Sequence, residues 1–483
     1  MWKFENNRKV VFVIWFVYIL GMILTSCSTS FLYPFYYGQD SALFSLLGKA
    51  IVSGKTIYKD LFDHKGPILF FIQAFGWLLG GRGGIFLLQI IFGTVNIIFL
   101  FEIWKETRTE NHSLLNLFVI FIIGYAEYFN TLAYGNLSEE YSLPFITGCI
   151  YLFIKYAKNT EAQCEHPALY SLLYGVAFAV LAFIRLNNAV TICAGVFVIM
   201  IYLIYKKKYK NLFINILSGI TGFVLVAVPV IVYFYNKNAL YDMIYATFIH
   251  NFKYVQDVGH NSIPEKPLYY AALYAPILIS LFLTTKHIVS KKPNFEDGIV
   301  CFIFLVNSIM LFFVNANQHY FTIFHPVFML VLFKYYNFNL KSIKNIFIYL
   351  CVALNLYYAA SYPSAIIYNG YLMKNNEKEN IYLQNTDVIP RSEKNSVIGY
   401  NIPVSFYLHE DIIPCHKYYT HQKLWAKSNP IIIEEFIRFL ESDKPLWVLI
   451  RENENDEKVL KALKNNYRYE TTEENIKFYR VKK

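Results

Sequence analysis

The sequence predicts an all-α polytopic membrane protein of about 11 transmembrane helices with interfacial helices, followed by a small C-terminal extracytoplasmic α/β domain. Charged residues make up only 16% of the 483-residue chain, against about 25% in soluble domains. The shortage falls on the first 365 residues, which contain a series of long apolar runs. From Asn375 onward the chain turns polar and charged, which indicates a region outside the membrane.

A helix needs about 20 mainly apolar residues to cross the hydrocarbon core of a bilayer. The predicted spans are residues 10–27, 84–104, 114–130, 141–157, 168–184, 189–205, 211–235, 268–285, 298–315, 320–336 and 344–361. This pattern predicts two domains, a membrane domain over residues 1–365 and an extracytoplasmic α/β domain over residues 366–483.

One apolar stretch, Pro67 to Gly80, is too short to cross the bilayer, so we expect it to lie at the interface or dip into it. Without that crossing, the lysine-rich loops all fall on one face, which the positive-inside rule makes cytoplasmic. These loops are Met1–Lys9, Lys105–Arg108, Lys155–Lys158, Lys206–Lys210, Lys286–Lys292 and Lys334–Lys344. The N-terminus is then cytoplasmic, in the plasma or inner membrane, and an odd number of spans places the C-terminal domain on the non-cytoplasmic face.

The C-terminal region has the pattern of a small α/β fold. Two apolar runs predict buried strands, two amphipathic runs predict helices, and two further runs predict a closing hairpin. In that order, the segments are 396–400 and 445–450, 431–440 and 457–463, and 467–469 with 476–481. No catalytic motif stands out here, so we expect a structural role or a role in acceptor recognition.

Composition also excludes some functions. The net charge of +10 does not indicate a nucleic-acid partner, because the basic residues form short clusters between apolar runs, as at Lys206–Lys208. Most of the seven cysteines lie within apolar runs, and no two have metal-ligand spacing. We therefore expect the cysteines to be small buried apolar residues.

The first predicted outer segment opens with an amphipathic helix that suits the membrane surface and ends at Gly54. Its apolar face consists of Leu43, Leu46, Leu47, Ala50 and Ile51. Asp40 stands at its start and has two interpretations. It could serve only as the N-cap, or its carboxylate could act as a general base where the membrane meets water.

A cluster of titratable residues follows, namely Asp60, Asp63, His64 and Lys65. Such a cluster could bind a phosphate through Lys65 while a carboxylate orients a hydroxyl group. The alternative is a turn held together by salt bridges. Later in the chain, residues 240–254 predict a second interfacial helix, with Asp257, His260 and Glu265 after it.

Other polar residues lie at the predicted outer ends of later spans. Glu139 and Glu140 follow Ser138. They either interact favourably with the dipole of the next helix or project into an outer cavity. A charge at the bilayer centre costs about 2.5–3.5 kcal/mol. Arg185, which is followed by Asn187, is therefore expected near the outer surface or in a wet cavity, where an arginine suits phosphate binding.

His319 and Tyr320 lie at another predicted outer tip. A histidine at such a tip is either an ordinary loop residue or a member of the site.

These residues resemble the GT-C superfamily of polyprenyl-phosphate-dependent membrane glycosyltransferases, in particular the protein mannosyltransferases and the lipid A aminoarabinose transferases. The resemblance covers residues 1–365. Residues 38–44, with Asp40, match the acidic residue of the first outer loop, and residues 138–140 and 185–187 match a later acidic pair and an arginine-asparagine element. A "Gly…Tyr…Asp/Glu-x-Lys-x-Pro" element is matched by Gly54, Tyr58, Asp60, Asp63, Lys65 and Pro67.

The resemblance implies inverting transfer of a sugar from a polyprenyl-phosphate donor to a glycan, lipid or protein acceptor on the non-cytoplasmic face. Asp40 would deprotonate the acceptor hydroxyl, and Lys65, His64 and Arg185 would bind the donor phosphate. The residues left for sugar or acceptor binding are Asp60, Asp63, Glu139, Glu140, Asn187, His319 and Tyr320.

The predicted partners are the lipid-linked donor, the acceptor and membrane lipids. No cofactor is assigned, and a divalent metal stays open. The family often has an adjacent Asp-Glu pair in the first loop, whereas Ser41 follows Asp40 here. This departure weakens a metal-assisted scheme at that position.

Three alternatives compete with a transferase. A transporter or flippase would place ionisable residues near the membrane midplane on broken helices with internal repeats, whereas this sequence puts them at one face and shows no repeat. A polysaccharide polymerase or ligase would also use outer-loop arginine and histidine, so it stays open. A noncatalytic sensor does not account for the polar cluster at the membrane surface.

Overall fold

The computed structural model describes residues 23–33, 37–107, 114–132, 134–163, 165–251, 267–313, 318–337, 348–355, 387–427, 429–473 and 475–482, with further positions between 10 and 21 and at 346 and 357. The chain forms two compact units. The helical unit comprises Met1–Ser30, Leu87–Val230 and His260–Ile366. The mixed unit comprises Phe31–Phe86, Ile231–Gly259 and Ile367–Lys483.

The helix numbering begins after the helical positions between 10 and 26, and the helices with defined bounds among the described residues up to 337 are α1 (Gln39–Val52), α2 (Pro67–Gly80), α3 (Arg82–Thr107), α4 (Leu114–Thr131), α5 (Ser138–Gln163), α6 (Ala168–Arg185), α7 (Val190–Tyr205), α8 (Tyr209–Asn236), α9 (Leu240–Ile244), α10 (Pro267–Ser290), α11 (Phe295–Phe313) and α12 (His325–Tyr335). A 3₁₀-helix over Gln318–Phe324 precedes α12. The predicted spans that fall within the described residues are all helical. The first and last predicted spans and the span 298–315 lie partly outside the described residues.

Among the described residues, five helical stretches are long and apolar enough to cross a membrane, and they mark an integral membrane protein. They are Arg82–Thr107, Ala168–Tyr205, Tyr209–Asn236, Tyr270–Ser290 and Phe295–Phe312. The number of eleven spans stays a prediction, as does the orientation of the two termini.

The stretch Ala168–Tyr205 is interrupted at Arg185. This residue has an extended backbone, with φ −165° and ψ 115°, and the 3₁₀-helix Leu186–Ala189 follows it. The interruption falls where the sequence predicts a junction between two spans with almost no loop.

Helices α1 and α2 in the mixed unit follow the sequence prediction closely. Helix α1 ends before Gly54, whose φ of +88° is the left-handed conformation that a glycine adopts at low cost. Helix α2 spans Pro67–Gly80, with Pro67 in its first turn, where its missing N–H is not needed.

The predicted N-cap of α1 is wrong. Gly38 has the extended N-cap backbone and its carbonyl accepts the Ala42 N–H at 2.8 Å, so α1 begins two residues earlier than it would with Asp40 as the N-cap. Asp40 lies in the first turn instead, where its carboxylate still interacts favourably with the helix dipole.

The predicted second interfacial helix is present in part. Helix α9 covers Leu240–Ile244, and a π-helical turn covers Tyr245–Ile249. Asp257, His260 and Glu265 lie outside the described residues.

The C-terminal part of the mixed unit contains the predicted α/β fold. Its four strands are β1 (Val397–Tyr400), β2 (Trp447–Arg451), β3 (Tyr467–Glu473) and β4 (Ile476–Val481), in the sheet order β1-β2-β4-β3. Strands β1 and β2 are parallel, which requires a crossover connection, and β4 pairs antiparallel with both β2 and β3. The predicted hairpin is thus confirmed.

The helices of this region are α13 (Val404–His409), α14 (Gln422–Trp425), α15 (Ile431–Ser442) and α16 (Glu457–Asn466). Helix α15 buries Ile432, Phe436 and Leu440, which recur every four residues along one face. Helix α16 is capped by the Asp456 side chain, which accepts the N–H groups of Lys458 and Val459. The predicted division of the whole chain at residue 365 stays a prediction.

Close packing of α1 on α2 yields the first testable prediction, a substitution of Gly48. A Cβ atom there would lie 2.6 Å from the backbone carbon and Cβ of Gln73, and 2.8 Å from the Ala74 nitrogen. Because these are mainly backbone atoms, we expect Gly48→Ala to lower the free energy of unfolding by about 1–3 kcal/mol, despite its better helix propensity.

The measurement is thermal unfolding in detergent, with Gly83→Ala as the control. A Cβ at Gly83 meets no atom within 4 Å, so this helical substitution should be neutral or slightly stabilising. Equal stability of the two variants would contradict the packing of α1 on α2.

Candidate active site

The loop between α1 and α2 is fixed by its own backbone. Tyr58 has a positive φ of 69°, its N–H donates to the Leu61 carbonyl at 2.7 Å, and its hydroxyl donates to the Lys65 carbonyl at 2.6 Å. Tyr58 itself is fully buried. These bonds hold the residues that the sequence analysis singled out between Asp60 and Lys65.

Asp63 is the buried carboxylate of this loop, with 2% of its surface exposed. Its Oδ1 accepts the Lys65 N–H at 2.7 Å. Burial raises the pKa of Asp63 to about 6, while the Lys65 charge and the backbone N–H groups of Lys65 and His64 oppose that rise. The charge of Asp40 raises the same pKa. Asp40, Asp63 and Lys65 therefore form one electrostatic cluster in the mixed unit.

Lys65 and His64 contact each other through their side chains. Lys65 Nζ lies 3.1 Å from His64 Nε2. Since an ammonium group can only donate, this nitrogen of His64 is the acceptor and the imidazole is neutral. The His64 carbonyl accepts from the Asn251 amide at 2.8 Å, so residues 64 and 65 are held from two sides.

Asp60 has a local structural role. Its carboxylate accepts the Thr56 N–H at 2.7 Å, and its own N–H donates to the Thr56 carbonyl at 2.8 Å. The predicted role of Asp60 in sugar or acceptor binding stays a prediction.

Asp40 is half-buried in the first turn of α1, so its carboxylate retains access to solvent. Nearby, the Arg82 guanidinium lies 4.6 Å from the centre of the Tyr37 ring and also donates to the Tyr33 carbonyl. The sequence analysis missed Arg82, although its place directly after the glycine pair that ends α2 is a signal that could have found it.

A second polar cluster lies in the helical unit around Arg185. Arg185 forms an ion pair with Glu139, and its guanidinium lies 3.7 Å from the centre of the Tyr320 ring. Glu139 also accepts the Ser138 hydroxyl at 2.8 Å. The ring of His319 lies 4.5 Å from that of Tyr320. The structure thus brings together four residues that the sequence placed at outer tips.

Asn187 is exposed, whereas its neighbour Asn188 is buried and donates to the Ser142 hydroxyl at 2.7 Å. Asn188 was not among the site residues predicted from the sequence. Nothing in the sequence alone distinguishes the two asparagines. Both lie on the 3₁₀-helix that follows Arg185, and the backbone at Arg185 determines which of the two side chains points inward.

Glu140 is buried and hydrogen-bonded within the helical unit. Its carboxylate accepts the Leu137 N–H at 3.1 Å, which is the helix-to-cap half of a capping box, and the Gln89 amide at 3.1 and 3.2 Å. Gln89 also accepts from the Thr29 hydroxyl. Gln89 was missed by the sequence analysis, although a glutamine within an apolar span is a signal for it.

The structure also contains a buried acid–base pair that the sequence analysis did not select. Glu127 on α4 and His325 at the start of α12 are 1–3% exposed at their side chains, and the carboxylate lies 2.8 Å from His325 Nδ1. A glutamate inside a predicted span is the signal that could have found this pair. Among the described residues, no group of three or more His, Cys, Asp or Glu could hold a metal ion.

The raised pKa of Asp63 predicts how stability depends on pH. The pKa is about 6 in the folded chain and about 3.9 in an unfolded one. Folding therefore favours the protonated acid, and the wild type loses stability as pH rises from about 4 to about 6, by at most about 3 kcal/mol. Asp63→Asn cannot ionise, and its amide oxygen can still accept the Lys65 N–H.

We expect the stability of Asp63→Asn relative to wild type to rise across this pH window and to level off above it. Thermal unfolding of both proteins in detergent at four pH values between 4.5 and 7.5 measures this difference. A difference that does not change with pH would show that Asp63 is not a desolvated carboxylate.

The chain is similar in fold to solved structures of ArnT from Cupriavidus metallidurans. The structure bound to undecaprenyl phosphate matches with a TM-score of 0.61 and 9% identity, over 97% of each chain. The apo structure matches with a TM-score of 0.54 and 10% identity, over 98% of each chain. At this identity the likeness shows the fold, which is shared along almost the whole length.

The archaeal oligosaccharyltransferase AglB from Archaeoglobus fulgidus, in complex with an inhibitory peptide and a dolichol-phosphate, matches with a TM-score of 0.49 and 13% identity, over 99% of this chain and 74% of AglB. No curated protein matches the sequence. A family model, described as the N-terminal domain of competence-induced protein Ccs4, matches residues 3–345. Since that match covers more than half of the chain, the protein belongs to the competence-induced Ccs4 N-terminal domain family.

Proposed function

We propose that this protein is a membrane glycosyltransferase that moves a sugar from a polyprenyl-phosphate donor to an acceptor hydroxyl on the non-cytoplasmic face, with inversion. The observation that carries the proposal is the fold shared with ArnT bound to undecaprenyl phosphate over 97% of each chain. The resemblance of residues 1–365 to polyprenyl-phosphate-dependent glycosyltransferases supplies the type of reaction. The cluster of Asp40, Asp63 and Lys65 supplies the chemistry that such a transfer needs.

The two carboxylates of the cluster suit different roles. Asp63 is buried and its carboxylate accepts backbone N–H groups, so its role is to stabilise the loop. Asp40 is half-buried and open to solvent, so an acceptor hydroxyl can reach it. We assign Asp40 as the general base, which takes the hydroxyl proton as the acceptor oxygen attacks the anomeric carbon.

The leaving group requires a cation rather than an acid. When the bond between the anomeric carbon and the phosphate oxygen breaks, both bonding electrons stay on the polyprenyl phosphate. A phosphate carries this charge without being protonated, so a fixed ammonium group is sufficient. The Lys65 backbone N–H is bonded to Asp63, and its ammonium group lies next to the neutral His64. The ammonium charge of Lys65 can therefore interact with the donor phosphate.

The role of Arg185 in phosphate binding stays a prediction. In the helical unit its guanidinium already pairs with Glu139 and stacks on Tyr320. A guanidinium has five N–H donors, so a phosphate could share it with the carboxylate. Glu139, Glu140, Asn187, His319 and Tyr320 stay candidates for binding the sugar or the acceptor.

The experiment that tests the proposal uses the purified full-length protein with a panel of polyprenyl-phosphate sugars and a lipid and glycan extract of bacterial membranes as the acceptor source. We expect release of polyprenyl phosphate from at least one donor. No release from any donor in the panel would overturn the proposed function.

Asp40→Asn should lower the rate of transfer by about 10²–10⁴-fold, the usual contribution of a general base. The amide keeps the size of the side chain, so the donor KM and the unfolding temperature should change little. Asp411→Asn is the matched control, because Asp411 is an exposed aspartate of the same unit that pairs with Lys49. Full activity of Asp40→Asn would remove Asp40 from the mechanism.

Lys65→Ala should lower kcat/KM for the donor by about 10²-fold, because one preorganised cation at the leaving phosphate is lost. Lys59→Ala is its control, since Lys59 is an exposed lysine of the same loop whose ammonium group lies 3.5 Å from the Lys237 carbonyl. Steady-state kinetics with varied donor separates the two variants. Unchanged donor kinetics in Lys65→Ala would refute the phosphate role.

A further inference from the structure

Within the mixed unit, residues 416–425 of the C-terminal region lie directly against the loop that carries Asp63. The Phe62 N–H donates to the Lys417 carbonyl at 2.8 Å. The Phe62 ring lies 5.5 Å from the Tyr418 ring and 5.1 Å from the Trp425 ring. The chain neighbour of Asp63 is thus packed between two aromatic residues of the 416–425 segment.

The same region also contacts both ends of α1, the helix that carries Asp40. Before the helix, the Tyr37 ring lies 5.0 Å from the His409 ring. Towards its last turn, Lys49 forms an ion pair with Asp411. The C-terminal region therefore contacts the helix on which Asp40 is placed near both of its ends.

His421 is presented in this setting by a rigid backbone. Its neighbour Thr420 donates to the Ile402 carbonyl at 2.9 Å. Its other neighbour, the fully buried Gln422, donates to the carbonyls of Gly399 and Tyr418 at 2.8 Å each and accepts the Asn401 N–H at 2.7 Å. These side chains anchor the segment to the end of β1.

His421 itself has a left-handed backbone, with φ 51° and ψ 25°, and is exposed to solvent. A left-handed non-glycine residue costs free energy and persists only where its surroundings fix it. The bonds of Thr420 and Gln422 supply that constraint. An exposed imidazole on a fixed backbone is the arrangement that a binding site requires.

The charges of Asp40 on α1 and of Arg451 at the end of β2 act on the His421 imidazole. Surrounding protein lowers the pKa of His421, Arg451 lowers it further, and Asp40 opposes that shift. The imidazole is therefore neutral at pH 7, with one N–H donor and one nitrogen acceptor. Burial and the charge of Asp63 raise the pKa of the neighbouring residue Tyr419.

We propose that His421 completes the Asp40 site from the C-terminal region by hydrogen-bonding the acceptor beside the hydroxyl group that Asp40 deprotonates. This inference rests on the proposed function. It adds that the C-terminal region contributes to acceptor binding. The hydroxyl proton passes to Asp40, and His421 neither gains nor loses a proton in the step.

The geometry also points to the class of acceptor. A hydrogen bond donated by His421 to the attacking oxygen would withdraw the lone pair that the attack uses. The productive contact is with a neighbouring polar group of the acceptor, and we infer that this group is a second hydroxyl close to the first. A saccharide has this chemistry, whereas the side chain of a serine or threonine has a single hydroxyl.

The test uses the full-length protein, a polyprenyl-phosphate sugar that the wild type accepts, and methyl glucoside, methyl galactoside and methyl N-acetylglucosaminide as soluble acceptor probes. Released polyprenyl phosphate is measured against glycoside concentration and, separately, without glycoside. We expect the wild type to release more polyprenyl phosphate as at least one glycoside is titrated.

His421→Ala should raise the glycoside KM by about tenfold or more, the equivalent of one lost hydrogen bond. The donor KM and the release without glycoside should stay within about twofold of wild type. His421→Gln keeps a neutral donor and acceptor and should recover most of the affinity. Lys423→Ala is the matched control, because Lys423 is an exposed residue of the same segment that pairs with Glu454.

The test has five possible outcomes. A raised glycoside KM in His421→Ala, with recovery in His421→Gln, supports it. An unchanged glycoside KM overturns it, as does an equal loss in both donor and glycoside kinetics, which would indicate damage to the fold. Wild-type transfer to the membrane extract without any response to glycosides overturns the saccharide assignment. No release by the wild type under any condition overturns the proposed function itself.

Discussion

The arrangement of the mixed unit depends on the buried carboxylate of Asp63 and on the groups that stabilise it. A buried carboxylate is costly unless hydrogen bonds and an opposite charge stabilise it. The N–H groups of His64 and Lys65 and the charge of Lys65 do so here. Satisfying Asp63 thereby fixes the backbone that carries Lys65, and it fixes Phe62, on which the C-terminal region packs. One short loop thus links a charged cluster to a folded domain more than 300 residues further along the chain.

In the helical unit, buried charged groups are also stabilised by partners, but these partners are mainly other side chains. Arg185 and Glu139 neutralise each other where the helix breaks, Glu140 is held by Gln89 and by the N–H of Leu137, and Glu127 contacts His325. Charged groups in an apolar surrounding persist only when they are paired. The pairing also orients them, since a guanidinium stacked on Tyr320 has a defined direction. These groups are therefore available to a ligand only in company with their partners.

Much of the fold could be predicted from the sequence because its signals are local. The 14 residues from Pro67 to Gly80 read as one helix, since a glycine precedes them and a glycine ends them, and that helix is present with these bounds. The strands and helices of the C-terminal sheet follow from apolar periodicity in the same way. The N-cap of α1 failed because Gly38, which has no capping side chain, takes that place by its backbone alone. A rule that favours Asp at the cap does not detect such a start.

The sequence by itself determined that the chain is built from apolar helices with a polar α/β region after them, because apolar length, charge distribution and periodicity are properties of short segments. It also determined which residues are unusual enough to be candidates, such as Asp40, Lys65 and Arg185. Only the tertiary structure decided which of them meet. The charge of Asp40 acts on Asp63 and on His421, Asp63 accepts the Lys65 N–H, and Arg185 pairs with Glu139 and stacks on Tyr320. The physical reason is that electrostatic and hydrogen-bond partners are selected by distance in space, and residues 40 and 421 are far apart along the chain.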